Sequence, residues 1–404
     1  MPALIKNRGR NSPGIITFTS AEAIWGLPRI SSKVREFLNI QSQSGRWIFG
    51  VHVQGDLSHL DKWPLEDWVG FVMWPDLSAK FLSNVEPRKR IPMNCVNFMP
   101  SALATATSRI RIWDICLISR ASSIKRIDDS LEIIRLLINK NPSLKILSIV
   151  PDNRRFGESM NTTDNKYFDF PIKNFSSKQL KHLTFLSSST EVFGQYPLSD
   201  EFMREIILQS RFVMLNSHSE GTPRSLAEAL LLGTPVIISE NLKSGINNVF
   251  DSANSVQISD DNSMAAEQIL SSLSNYDKFR VDRPKSRNLF SESENLLNLK
   301  EFFIRLYPQI GDSDGRWHLD DLHLRLACHG QKKNQQYINR SELLFDWFDR
   351  VENICALDSD IDEDYLSGDD FYDQPSMANS FRRNFILGIS KLLRTLRIRS
   401  GSGS

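Results

Sequence analysis

Cysteine is scarce. The chain has four, Cys95, Cys116, Cys328 and Cys355, widely spaced and without a C-x-x-C pair among its 404 residues. That spacing fits free thiols in a reducing compartment better than a disulfide framework. An excess of charge is missing too. Lys and Arg number 49 against 48 Asp and Glu, so no global field draws the chain to nucleic acid. No apolar run approaches the roughly 20 residues that a membrane span requires. Residues 1–14, MPALIKNRGRNSPG, carry basic side chains with no apolar stretch behind them, so no secretory signal is expected there. The expected location is cytoplasmic, with any membrane contact made from the surface. Internal repeats are absent as well.

What is present is an alternation of apolar runs and helical patterns. In the first part GIITFT (14–19), RWIFGVHV (46–53) and DWVGFVMW (67–74) read as strands, and residues 20–38 read as helix kinked or split at Pro28. From Trp113 the pattern sharpens. Strand runs stand at 115–119, 145–150, 182–186, 212–215, 235–239 and 255–259. Between them lie helical stretches, one with Ile127, Leu131, Ile134 and Ile138 on a single face. These strand runs are apolar throughout rather than alternating, as in a parallel sheet covered on both faces. Right-handed crossovers turn that sheet into a doubly wound, Rossmann-like domain. Residues 286–355 read as helical, 358–373 as a strongly acidic linker, and the end as a basic amphipathic stretch.

The segment LNSHSEGTPRSLAEALLLGTPVIIS (215–239) carries the chemistry. A strand ends in a polar loop, and a helix then begins at the carboxyl end of a parallel strand, where such sheets bind ligands. Thr222 is the expected N-cap, with Pro223 at the first helical position. The N–H groups there and the helix dipole favour an anion. Gly221 admits a ligand close to the backbone. Glu220 precedes the helix and Glu228 lies in its second turn, so one carboxylate can meet a sugar while the other reaches a ribose hydroxyl pair. Gly233, Thr234 and Pro235 end the helix.

Glu220-Gly221 through Glu228-Ala229, followed by Gly233-Thr234-Pro235-Val236, resembles the E-x7-E signature of retaining GT-B-fold glycosyltransferases. The resemblance spans roughly residues 113–280. It implies that Glu220 contacts the transferred sugar and Glu228 the donor ribose. Arg120 and Lys125, five apart after strand 115–119, match the cations that bind the donor diphosphate in that family. Gly221 and Thr222 would add contacts at the helix start. Two cations on a leaving diphosphate stabilise its developing charge, so no metal and no cofactor beyond the nucleotide sugar is implied. Ser119 and Arg126 stand where the family has glycines. His52, after the run IFGV (48–51), resembles the family histidine that touches the donor sugar, although a packed strand-end histidine reads the same way.

The implied fold is α/β and GT-B-like, with two Rossmann-like domains. Its units would be a reduced N-terminal domain (1–112), a donor domain (113–285), a helical region (286–355) and an acidic linker with a basic tail (356–404). The implied reaction transfers a sugar from a nucleotide-diphosphate sugar to an acceptor glycan or lipid-linked glycan, with retention. A non-catalytic sugar-nucleotide-binding scaffold and a nucleotide-sugar epimerase are the alternatives. His318, His323, Cys328 and His329 are spaced onto different helical faces, so no zinc site is expected. In the tail Phe381, Phe385, Ile389, Leu392, Leu393 and Leu396 recur at helical spacing among Arg382, Arg383, Lys391, Arg394, Arg397 and Arg399. That pattern suits a helix at 381–399 lying on an anionic membrane surface.

Overall fold

A computed structural model describes residues 2–20, 23, 32–53, 65–104, 110–119, 125–151, 173–188, 199–311, 314–326 and 341–357. The first half contains β1 (Ala3–Lys6), β2 (Gly14–Thr19), helix α1 (Ser32–Gln43), β3 (Trp47–His52), β4 (Val69–Met73) and β5 (Arg90–Ile91). Next come β6 (Trp113–Ile118), α2 (Ile127–Lys140), β7 (Ile146–Pro151), β8 (Leu183–Ser188), α3 (Asp200–Leu208), β9 (Ser210–Leu215), α4 (Arg224–Leu231), β10 (Val236–Ser239), β11 (Ser255–Ile258) and α5 (Asn262–Ser274). Three longer helices follow, α6 (Arg283–Phe290), α7 (Glu292–Leu306) and α8 (Ser341–Leu357).

The second sheet has the order β11-β10-β9-β6-β7-β8 and every pairing is parallel. In chain order that is the doubly wound arrangement, with the direction of winding reversing between β6 and β9. Successive residues of β6 explain its continuous apolar run. Ile115 and Leu117 face the core formed with α2 and α5, while Cys116 and Ile118 face the core that holds Leu226 and Leu230 of α4. Both faces are covered, so neither can be polar.

The first sheet runs β1-β2-β3-β4-β5, parallel except for β1, without a reversal. Its two faces are completed from the other end of the chain. Leu344, Trp347, Phe348 and Val351 of α8 join Val34 and Leu38 of α1 against Trp47 and Phe49. On the opposite face Leu299 and Phe303 of α7 cover Ile15, Ile48 and Phe71, with Phe303 edge-on to Phe71 at 4.8 Å. Fully burying one such side chain contributes about 1.5–3 kcal/mol. Strands β1 to β5 therefore make a small sheet whose stability depends on α7 and α8. The free edge of β1 is closed in the same way. Asn7 N donates to Arg316 O at 2.7 Å and His318 N to Ile5 O at 2.8 Å. Lys6 is enclosed there, its ammonium bonded to Ser12 Oγ at 2.9 Å and to Asn7 O at 3.1 Å. Burial pushes its pKa down to about 8, against the pull of Asp314.

Candidate active site

The strand order reverses between β6 and β9, and in doubly wound sheets the carboxyl edge at such a reversal is where ligands bind. From the β6 side comes Lys125, just ahead of α2. From the β9 side comes the loop of residues 216–223. Lys125 Nζ donates to Glu220 Oε1, and both side chains are largely enclosed. Two residues 95 apart in sequence thus meet where the topology places a ligand site. Arg120 lies outside the described residues.

The Glu220 loop is pinned from its other side. Lys243 N donates to His218 O at 2.8 Å, Glu220 N to Lys243 O at 2.9 Å, and Gly245 N to Gly221 O at 2.8 Å. Gly245 is required by close approach, since a Cβ there would stand 2.8 Å from Trp74 Cζ2. Trp74 follows β4, so the end of the first sheet packs against Gly245, which in turn holds the Glu220 loop. A second contact joins the domains at Cys95, whose Sγ is 3.2 Å from Thr222 Oγ1.

That contact corrects the expected N-cap. The Thr222 hydroxyl is engaged by the Cys95 thiol, and α4 begins one residue later than expected. Pro223 is the cap, its carbonyl accepting from Leu226 N and Ala227 N, each at 3.2 Å. The end of α4 follows the sequence expectation. Gly233 is left-handed at φ 81, with Gly233 N bonded to Leu230 O and Thr234 N to Ala229 O, a Schellman closure.

Glu228 is buried. Its Oε1 accepts from Arg224 Nε at 2.6 Å, and Arg224 Nη2 reaches Asp200 Oδ1 at 2.7 Å. Oε2 takes no part in the Arg224 contact. Burial pushes the Glu228 carboxyl above its ordinary range, opposed by Arg224. Burial alone would lower Arg224, but Glu228 and Asp200 hold it firmly charged.

His52 ends β3 fully enclosed, with Nδ1 3.1 Å from Thr17 Oγ1. Its neighbour Val53 offers a carbonyl to Asn94 Nδ2, and the next residue, Cys95, is the one that touches Thr222. His52 is thus tied to the site through a short chain of contacts. His318 bonds to Asn7 Oδ1 at 2.8 Å, and no metal-binding cluster occurs among the described residues. Cys328, His329 and the 381–399 tail lie outside them.

Three features escaped the sequence reading. Asn216 and Ser217, directly after β9, are buried, and their side-chain polar atoms have no hydrogen-bond partner among the described residues. Each such orphan costs about 1–3 kcal/mol and asks for an explanation. Arg126, beside Lys125, is left-handed at φ 48. A non-glycine residue there is strained by about 1–2 kcal/mol, which accounts for glycine being the usual choice. Finally, Asp260 contacts both Arg126 and His218, and these partners with Asn241 hold its carboxyl down at about 2.

No protein-family model and no curated protein sequence matches the chain. Solved structures do. The UDP-forming α,α-trehalose-phosphate synthase of Burkholderia xenovorans aligns over 74% of each chain at 13% identity, with a TM-score of 0.51. HepE of Anabaena, solved with UDP, aligns over 68% of this chain and 77% of its own at 11% identity and TM-score 0.47. TarM of S. aureus aligns over 63% of this chain and 51% of its own at 16% identity and TM-score 0.45, so this chain spans about half of TarM. At such identities the comparison speaks to fold. The trehalose-phosphate synthase match and the sheet topology together establish a GT-B-like α/β architecture, with a reduced first domain completed by carboxyl-terminal helices.

Proposed function

We propose that this chain is a glycosyltransferase that moves a sugar from a nucleotide-diphosphate sugar to an acceptor glycan or lipid-linked glycan. The carrying observation is the meeting of Lys125 and Glu220 at the reversal of strand order, beside the start of α4. Lys125, with Arg120, would face the diphosphate. Gly221 and Thr222 would lie along it. Glu220 would orient the sugar, and Oε2 of Glu228 would take the ribose hydroxyls. His52, fully enclosed against Thr17, would act on the sugar only indirectly, through the contacts that run from Val53 and Asn94 to Cys95 and Thr222. Cationic neutralisation of the leaving diphosphate supplies the electrostatic stabilisation that such a transfer requires. No metal is needed in this scheme. Lacking a clearly placed nucleophile, it favours front-face attack and retention.

UDP-sugars are the first donors to try, because the fold-sharing trehalose-phosphate synthase is UDP-forming. The test incubates the full chain with nucleotide sugars and a glycan acceptor panel, and follows nucleoside diphosphate release and product anomer by NMR. Acceptor-dependent release with a retained anomer is expected. Binding without turnover would favour a scaffold, and turnover without acceptor an epimerase.

The tail extends the proposal to place. We infer a cytoplasmic protein that docks on an anionic membrane through residues 381–399, the basic charges drawing it in and the apolar face anchoring it. Full-length protein should sediment with phosphatidylserine vesicles, while protein ending at residue 376 should stay in the supernatant. Equal pelleting of both would remove the membrane role.

A further inference from the structure

One carboxylate gathers the loops along the carboxyl edge of the second sheet. Asp260 itself follows β11. Its Oδ1 accepts from Arg126 Nη1, in the connection from β6 to α2, and lies 2.7 Å from His218 Nε2, in the loop after β9. Its Oδ2 accepts from Asn241 Nδ2 at 2.7 Å, after β10. Four of the six strands therefore send a residue to this point. Arg126 also bonds Asp129 Oδ2 through Nε at 2.8 Å. Its left-handed backbone is a region that a residue with a Cβ keeps only when surrounding contacts hold it there. Lys125 is the preceding residue, and Glu220 stands two beyond His218. The cluster thus fixes backbone beside both members of the Lys125–Glu220 pair.

We propose that Arg126 and Asp260 are positioning residues for this site. They form a clasp that sets the spacing between the loop carrying Lys125 and the loop carrying Glu220. The inference rests on the nucleotide-sugar reading and deepens it: neither residue touches substrate, and both act through the pair that does.

Glycine takes φ 48 without strain, so Arg126→Gly removes the clasp while relaxing the backbone. In the full chain its melting temperature should equal or exceed wild type. Affinity for UDP-glucose, read by calorimetry, should fall about tenfold in Arg126→Gly and in Asp260→Asn. The double variant should be no weaker than either single one, because both break one link. Arg126→Lys keeps the charge and should recover part of the affinity. A lowered melting temperature with unchanged affinity would instead mark a merely structural role and overturn the proposal. Amide hydrogen exchange at residues 216–222, measured without nucleotide, is an independent arm. It should quicken in both single variants, and unchanged exchange would also overturn the clasp. Should wild type bind no nucleotide sugar, the donor-site reading fails, and the exchange arm alone decides whether the clasp holds the loop.

Discussion

Replacing Glu220 with alanine should reduce sugar transfer by about 10²–10³-fold, the range seen when one positioned group is removed from a transition state, yet leave UDP binding unchanged or tighter. The opposite signs follow from the ion pair. Glu220 and Lys125 are largely enclosed and neutralise each other. An arriving diphosphate competes with Glu220 for the ammonium, and at an effective dielectric of about 20 such a contact is worth roughly 4 kcal/mol at 4 Å. Removing the carboxylate takes away the competitor for the Lys125 ammonium and leaves the sugar unoriented. Lys125→Ala should therefore weaken UDP binding as well as transfer. Single-turnover kinetics with calorimetric titration of UDP separate the two effects. Glu220→Ala turning over within threefold of wild type would defeat its assignment. So would loss of UDP binding in Glu220→Ala with retention in Lys125→Ala.

The second sheet was legible because its signals are local. Each apolar run from 115–119 to 255–259 became a strand of the parallel sheet, since a strand buried on both faces has no other way to be written. Glu220 and Lys125 were visible through spacing from those strands. Their contact was not, because it depends on which strands are neighbours. β1 was missed for a different reason: ALIK is short, and although it pairs with nearby β2, its other edge is closed by residues 316–318, more than 300 positions away. Thr222 misled because capping propensity is weak beside a tertiary contact, here the Cys95 thiol. Arg126 reads in the sequence only as a departure from glycine. Its meaning emerges from Asp260, supplied 134 residues later.

Arg224→Ala should destabilise the protein by roughly 3–5 kcal/mol, the usual result of stranding a buried charge. Seen only as an exposed i,i+4 pair in the less favourable order, Arg224 and Glu228 would be worth a few tenths of a kcal/mol. Burial separates the two cases. The Glu228 side chain is 8% exposed and Arg224 is its bonded cation, itself shared with Asp200. Glu228→Gln should lose less, about 1–2 kcal/mol, because Arg224 keeps Asp200. Replacing Arg224 and Glu228 together with methionine should restore most of the stability, since no unpaired charge remains buried. That double variant should still fail to hold UDP-sugar, having lost the oxygen proposed for the ribose. Urea unfolding monitored with tryptophan fluorescence, paired with UDP titration, reads both quantities. A shift in Arg224→Ala below 0.5 kcal/mol would mean that water reaches the pair. A stable double variant with full UDP affinity would show Glu228 to be architecture alone, and the donor ribose would then require another partner on α4.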